Sequence, residues 1–103
     1  MSEEHVTRAN PLECRLMSAS LEIDDDDEDI IQVTIEISNE AVMPIGSLDI
    51  FIQTSDNKKV AANQGISSLG PGLTRKFTFE FSLVNGEWTF MLRSPSIDMD
   101  LGP

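Results

Sequence analysis

One cysteine, one histidine and seven basic residues are what this chain of 103 residues has in short supply. A lone Cys14 forbids a disulfide within the chain, and one cysteine with one histidine cannot assemble the Cys/His set of a zinc site. The same shortage removes the thiol–imidazole pair of a cysteine nucleophile, and His5 stands in a polar, aperiodic stretch that suits a solvated side chain better than a catalytic base. Seven Lys and Arg against eighteen Asp and Glu leave a formal charge of −11, a field that repels phosphate backbones and anionic membranes, so nucleic acid is not an expected partner. No apolar run approaches the ~20 residues of a membrane-spanning helix, and Met1-Ser2-Glu3-Glu4-His5 lacks the positive start and apolar stretch of a secretory signal. Membrane insertion is therefore not expected, and a place at the cell surface would require that the chain be a module of a larger protein.

What the chain does have is β-branched, alternating sequence. It is 40% hydrophobic, with ten isoleucines, enough for one domain with its own core. The clearest strand is Ile31 to Ser38, with Ile31, Val33, Ile35 and Ile37 inward and Gln32, Thr34, Glu36 and Ser38 outward. Residues 12–23 form an earlier strand in which Leu12, Cys14 and Leu16 share a face, then Ala19, Leu21 and Ile23. The change of phase near Met17-Ser18 implies a bulge by which a first strand can pass from one sheet to another. Cys14 on this alternating segment reads as a small buried hydrophobe. Further strands are expected over residues 47–54, 59–62, 73–81 and 86–93. The last two carry Leu73, Arg75, Phe77, Phe79 and Phe81 on one face and Trp88, Phe90 and Leu92 on another. Gly70-Pro71-Gly72 and Asn85-Gly86 supply turns. The sum is an all-β, antiparallel, immunoglobulin-like β-sandwich of about seven strands over residues 12–94, preceded by a flexible arm, residues 1–11, and followed by a tail, residues 95–103.

Two features stand apart from that core. Asp24-Asp25-Asp26-Asp27-Glu28-Asp29 is a run of six acids between two apolar strands, which must be an exposed hairpin loop. Its plain role is solubility; its sharper ones are attraction of a cationic partner or of Ca²⁺, for which Asp24, Asp25, Asp26, Asp27 and Asp29 are the candidate ligands, joined by Asp98 and Asp100 if the last segment folds back beside them. The run lacks the glycine and spaced ligands of an EF-hand loop, so no more than weak or adventitious Ca²⁺ is expected and no other cofactor. Phe51, between outward Asp49 and Gln53, is the candidate contact residue on an outer sheet face. No catalytic residue emerges: the carboxylates lie in a solvated run rather than an enclosed pocket, and Gly70-Pro71-Gly72 opens a strand, not the helix that would hold a phosphate.

Val33-Thr34-Ile35-Glu36-Ile37-Ser38-Asn39, then Ile66-Ser67-Ser68-Leu69-Gly70-Pro71-Gly72 with Thr74 and Phe77-Thr78-Phe79, then Asn85-Gly86-Glu87-Trp88-Thr89-Phe90 resembles the CARDB-type domain, an immunoglobulin-like module common in prokaryotic cell-surface proteins. The resemblance implies an adhesion, spacer or accessory module with no catalytic residues. The expected function is thus non-enzymatic protein contact through an exposed face or edge strand, or the spacing of neighbouring domains. Two alternatives stay open: a Ca²⁺-assisted adhesion module, and a subunit or decoration protein of a virion or filament that self-associates through its edge strands.

Overall fold

The computed structural model describes residues 5–9, as backbone only, together with residues 11–94 and 97–101. Eight strands make two antiparallel sheets. β1 (His5–Ala9), β2 (Leu12–Ile23), β3 (Asp29–Asn39) and β6 (Thr74–Ser82) form the first, in the order β1-β2-β3-β6. β4 (Asp49–Thr54), β5 (Lys59–Ala61), β7 (Trp88–Ser94) and β8 (Ile97–Asp100) form the second, in the order β5-β4-β7-β8. The chain changes sheet between β3 and β4, between β5 and β6 and between β6 and β7, so the pairs β3·β6 and β4·β7 are built from segments distant in sequence.

The alternation in β3 does what period two requires: Ile31, Val33, Ile35 and Ile37 are buried, and the residues between them are half-exposed. Across the interior they meet Ile50 and Ile52 of β4 and Phe90 and Leu92 of β7 in one apolar cluster. Aromatic contacts tie the two layers together. Phe90 of β7 lies 6.0 Å from Phe79 and, edge-on, 5.9 Å from Phe81, both on β6. Each such pair contributes roughly 0.5–1.5 kcal/mol beyond its buried area. Of the other residues in phase with them, Leu73, just before β6, is exposed, Arg75 lies exposed near the start of the strand, and Phe77 is half-buried.

Three further expectations are corrected. The strand over residues 12–23 does bulge, with a register shift between Leu16 and Ser18, yet it stays in one sheet: Cys14 opposes Ile37 before the bulge and Ala19 opposes Val33 after it. The extra residue, Met17, absorbs the phase change, so both apolar sets keep to the inner face. Residues 5–9, read as part of a flexible arm, pair with β2 from His5 opposite Leu16 to Ala9 opposite Leu12. Ile97–Asp100, read as part of a tail, pairs with β7 and sends Ile97 and Met99 into the core, followed by Leu101. Both added strands lie at sheet edges and are short. Residues 1–4, 10, 95–96 and 102–103 of the expected arm and tail lie outside the described residues.

One loop is held from within. Asn39 is buried at the end of β3, where its Nδ2 donates to the carbonyls of Met43 and Leu69, each at 2.9 Å, and its Oδ1 accepts from Ala41 N–H at 2.9 Å. These bonds replace the ladder that ends there.

Candidate functional site

The acidic hairpin joins β2 to β3. Its first residue organises it: the Asp24 carboxylate accepts hydrogen bonds from the backbone N–H groups of Asp26 and Glu28, both at 2.9 Å, while Asp27 N–H reaches the Asp24 carbonyl. This is an Asx-type turn, and it uses Asp27 in the left-handed region at φ 60°. The other acids of the loop are exposed. Asp98 is not gathered to them: it is on β8, where Arg93 Nε donates to it at 3.3 Å. Among the described residues no three His, Cys, Asp or Glu side chains are grouped so as to hold a metal ion.

Phe51 does lie on the outer face of the second sheet, but it is only 1% exposed, so it is not a contact residue of a free surface. Neighbours cover it. Met91 and Ala61 stand opposite it on the flanking strands, Lys59 Nζ sits 4.3 Å from the ring centroid and the Arg93 guanidinium 5.1 Å from it. Each cation is itself paired, Lys59 with Asp49 at 2.7 Å and Arg93 with Asp98. The cluster seals an outer face with cation–π contacts and shields the aromatic from water. Alternation correctly assigns the face; long basic side chains from β5 and β7 decide the exposure.

The exposed apolar surface is elsewhere. β2 runs for 12 residues and β3 for 11, whereas β4 and β7 have 6 and 7. At about 3.4 Å per residue the β2–β3 hairpin outreaches the second sheet by more than 10 Å. β3 remains covered, flanked by β6, but β2 does not: every residue from Met17 to Ile23 is exposed. Leu21 opposes buried Ile31 and therefore points to the inner face, yet it is 70% exposed, and Ile23 beside it is 67% exposed. β1 reaches along β2 only as far as Leu16, so among the described residues no strand pairs with the outer edge of residues 18–23.

The opposite edge of the same sheet is treated differently. Asn63 N–H donates to the Glu80 carbonyl at 3.0 Å, its Oδ1 accepts from Glu80 N–H at 2.9 Å, and Gln64 Nε2 donates to the Thr78 carbonyl at 3.2 Å. The segment after β5 thus occupies the ladder positions that β6 presents. The contrast leaves a half-strand with an apolar face, a ladder that no described residue pairs with, and an acidic loop at its end. Sequence periodicity puts Ala19, Leu21 and Ile23 on one face but carries no signal for what lies above them; only the mismatch in strand length shows it.

Concave regions lie elsewhere on the surface. A shallow groove of about 330 Å³ runs over Gln53, Ser55, Asn57, Glu87 and Thr89, and another of about 510 Å³ lies between Ser47, Asp49 and Arg93. At the rim of the first, Thr54 Oγ1 donates to the Asp56 carboxylate and holds it below the ordinary carboxylate range. Cys14 is fully buried, and burial pushes its thiol up to about 12.

No family model, curated protein or solved structure matches this chain. The geometry therefore stands as the ground for a functional reading.

Proposed function

We propose that this chain is a non-enzymatic protein-interaction module whose contact element is the second half of β2. The observation that carries the reading is the pair Leu21 and Ile23, on the core-facing side of a sheet and yet 70% and 67% exposed beside an unpaired edge. An uncovered apolar strand edge is a hazard that folded proteins ordinarily blunt with charge, a bulge or a covering segment. Here, among the described residues, a covering segment is present on β6 and none on residues 18–23.

Two groups support the non-enzymatic part. The Cys14 thiol is buried and kept protonated, and Asp56 is made a stronger acid at an exposed turn rather than a proton donor in an enclosed site. The order of β2 to β8 across two sheets, with the chain crossing between layers after β3, after β5 and after β6, agrees with an immunoglobulin-like, CARDB-like module, and such sandwiches serve as display and adhesion units. Assembly into a virion or filament is the alternative use of the same edge. No helix among the described residues is long and apolar enough to cross a membrane.

The test places a photo-crosslinking residue at position 21 and, as a control, at exposed Lys76 on β6, in the organism that makes the protein. Discrete adducts at position 21 and none at 76 support contact through β2. Absence of adducts at 21, or the same adducts at both, leaves the domain a spacer and overturns the reading.

A further inference from the structure

We propose that the half-strand of residues 18–23 receives an extended, cation-flanked segment of a partner protein by strand addition, with the acidic hairpin reading the flanking charge. The inference rests on the interaction reading above and names the occupant. Its geometry is that of an additional strand on β2. The ladder of residues 18–23 would supply main-chain hydrogen bonds, and Ala19, Leu21 and Ile23 on the inner face would take alternate apolar side chains of the incoming segment.

Charge decides the occupant. The edge strand carries Glu22 and runs directly into Asp24, Asp25, Asp26, Asp27, Glu28 and Asp29, all but Asp24 exposed. A strand laid along residues 18–23 has one end beside this loop, where Lys or Arg gains several carboxylates within a Debye length and Asp or Glu meets repulsion. A second copy of this chain is the poorer fit, because it brings a charge of −11 and the same acidic loop to the contact. Asp24 is spent on holding its own turn, which leaves Asp25, Asp26, Asp27, Glu28 and Asp29 to read the charge, the first three of them in the turn itself.

The experiment uses the full chain and two labelled peptides, Lys-Lys-Val-Thr-Val-Thr-Val-Lys-Lys and its counterpart with Glu in place of every Lys, followed by fluorescence anisotropy at low and high NaCl. Saturable binding of the Lys peptide alone is expected. The double variant Leu21→Asp/Ile23→Asp adds two negative charges, which favour the Lys peptide, but removes the apolar contacts, and should weaken binding at least about tenfold. The triple variant Asp25→Asn/Asp26→Asn/Asp27→Asn keeps the Asp24 turn, suits the left-handed position at 27, and should flatten the salt dependence. Both variants are checked for an unchanged melting profile; if the first does not fold, Leu21→Ser/Ile23→Ser replaces it.

Equal binding of the two peptides overturns the charge reading. Binding of the Lys peptide that the Leu21/Ile23 variant does not weaken shows attraction to the loop alone and overturns strand addition. Binding that appears only after residues 1–4 are removed gives the edge to the chain's own N-terminus, and sedimentation as a dimer that the Leu21/Ile23 variant dissociates gives it to a second copy; either overturns the proposal. No binding of either peptide, with discrete crosslinks at position 21 retained in cells, removes this partner chemistry while leaving the interaction reading in place.

Discussion

At the scale of single residues, the burial of polar and titratable groups separates those that hold the fold from those that meet solvent. Asn39 satisfies two carbonyls and one N–H from a position 1% exposed, so Asn39→Ala removes three hydrogen bonds and leaves the freed backbone groups short of partners. A cost of about 2–3 kcal/mol is expected, read as a lower urea midpoint with an unchanged slope. Cys14 makes a prediction in pH. Its thiol titrates near 12 in the folded chain against 9.0 for a free thiol, so between those values the unfolded chain has lost a proton that the native chain keeps. Stability is therefore whole below pH 9 and falls as pH rises toward 12. Cys14→Val, of similar bulk and without the proton, should flatten that alkaline limb, and a thiol reagent should label the native wild-type chain only as fast as it opens. Asp56 works with the opposite sign: its lowered pKa, set first by the hydrogen bond from Thr54, favours the fold above the free carboxyl range, and that contribution is lost on acidification.

At the scale of elements, the acidic hairpin and the two edge strands show what can be read from sequence and what cannot. The six acids of the loop are not equivalent. Asp24→Ala removes the acceptor for Asp26 and Glu28 N–H and should cost about 1 kcal/mol, whereas Asp25→Ala leaves that turn intact, relieves repulsion and should be neutral or slightly stabilising. Thermal melts of the two variants at low salt, side by side, check the difference; equal effects would show that the loop has no internal order. The central strands were legible because a sheet with one wet side prints period two into its residues, as β3 does without a break. β1 and β8 were not. Four or five residues give too few repeats for periodicity to stand out, and the apolar alternation of Ile97, Met99 and Leu101 begins two residues after Pro95. The candidate surface was half legible: the phase of Ala19, Leu21 and Ile23 is in the sequence, but their cover depends on how far the opposite sheet extends. Phe51 is the converse case, placed on an outer face by its phase and closed over by Lys59 and Arg93 from neighbouring strands.

At the scale of the whole molecule, a charge of −11 on one small sandwich makes electrostatics a net burden on the compact state. Like charges about 7 Å apart repel by about 0.6 kcal/mol in water before screening, and the hairpin alone places six acids in succession. Against this stand exposed pairs such as Lys59 with Asp49 and Arg93 with Asp98, each worth roughly 0–1 kcal/mol. The unfolded chain carries the same charges spread over a larger volume, so repulsion falls more heavily on the folded state and screening should favour it. Raising NaCl from about 20 mM to about 200 mM shortens the Debye length from roughly 20 Å to roughly 7 Å, enough to silence most pairs across the loop while leaving direct contacts. A gain of about 0.5–1 kcal/mol is expected, seen as a rise in melting temperature of ~2–6 °C. CaCl₂ and MgCl₂ at matched ionic strength should raise it equally, since the Asp24 carboxylate is already engaged with its own backbone and the described acids are not grouped into a ligand set. A fall with NaCl would mean that the ion pairs around Phe51 outweigh the repulsion. A larger shift with Ca²⁺ than with Mg²⁺ would mean that the hairpin can rearrange to enclose the larger ion, which would remove Asp24 from its turn and make its substitution costly only in the metal's absence.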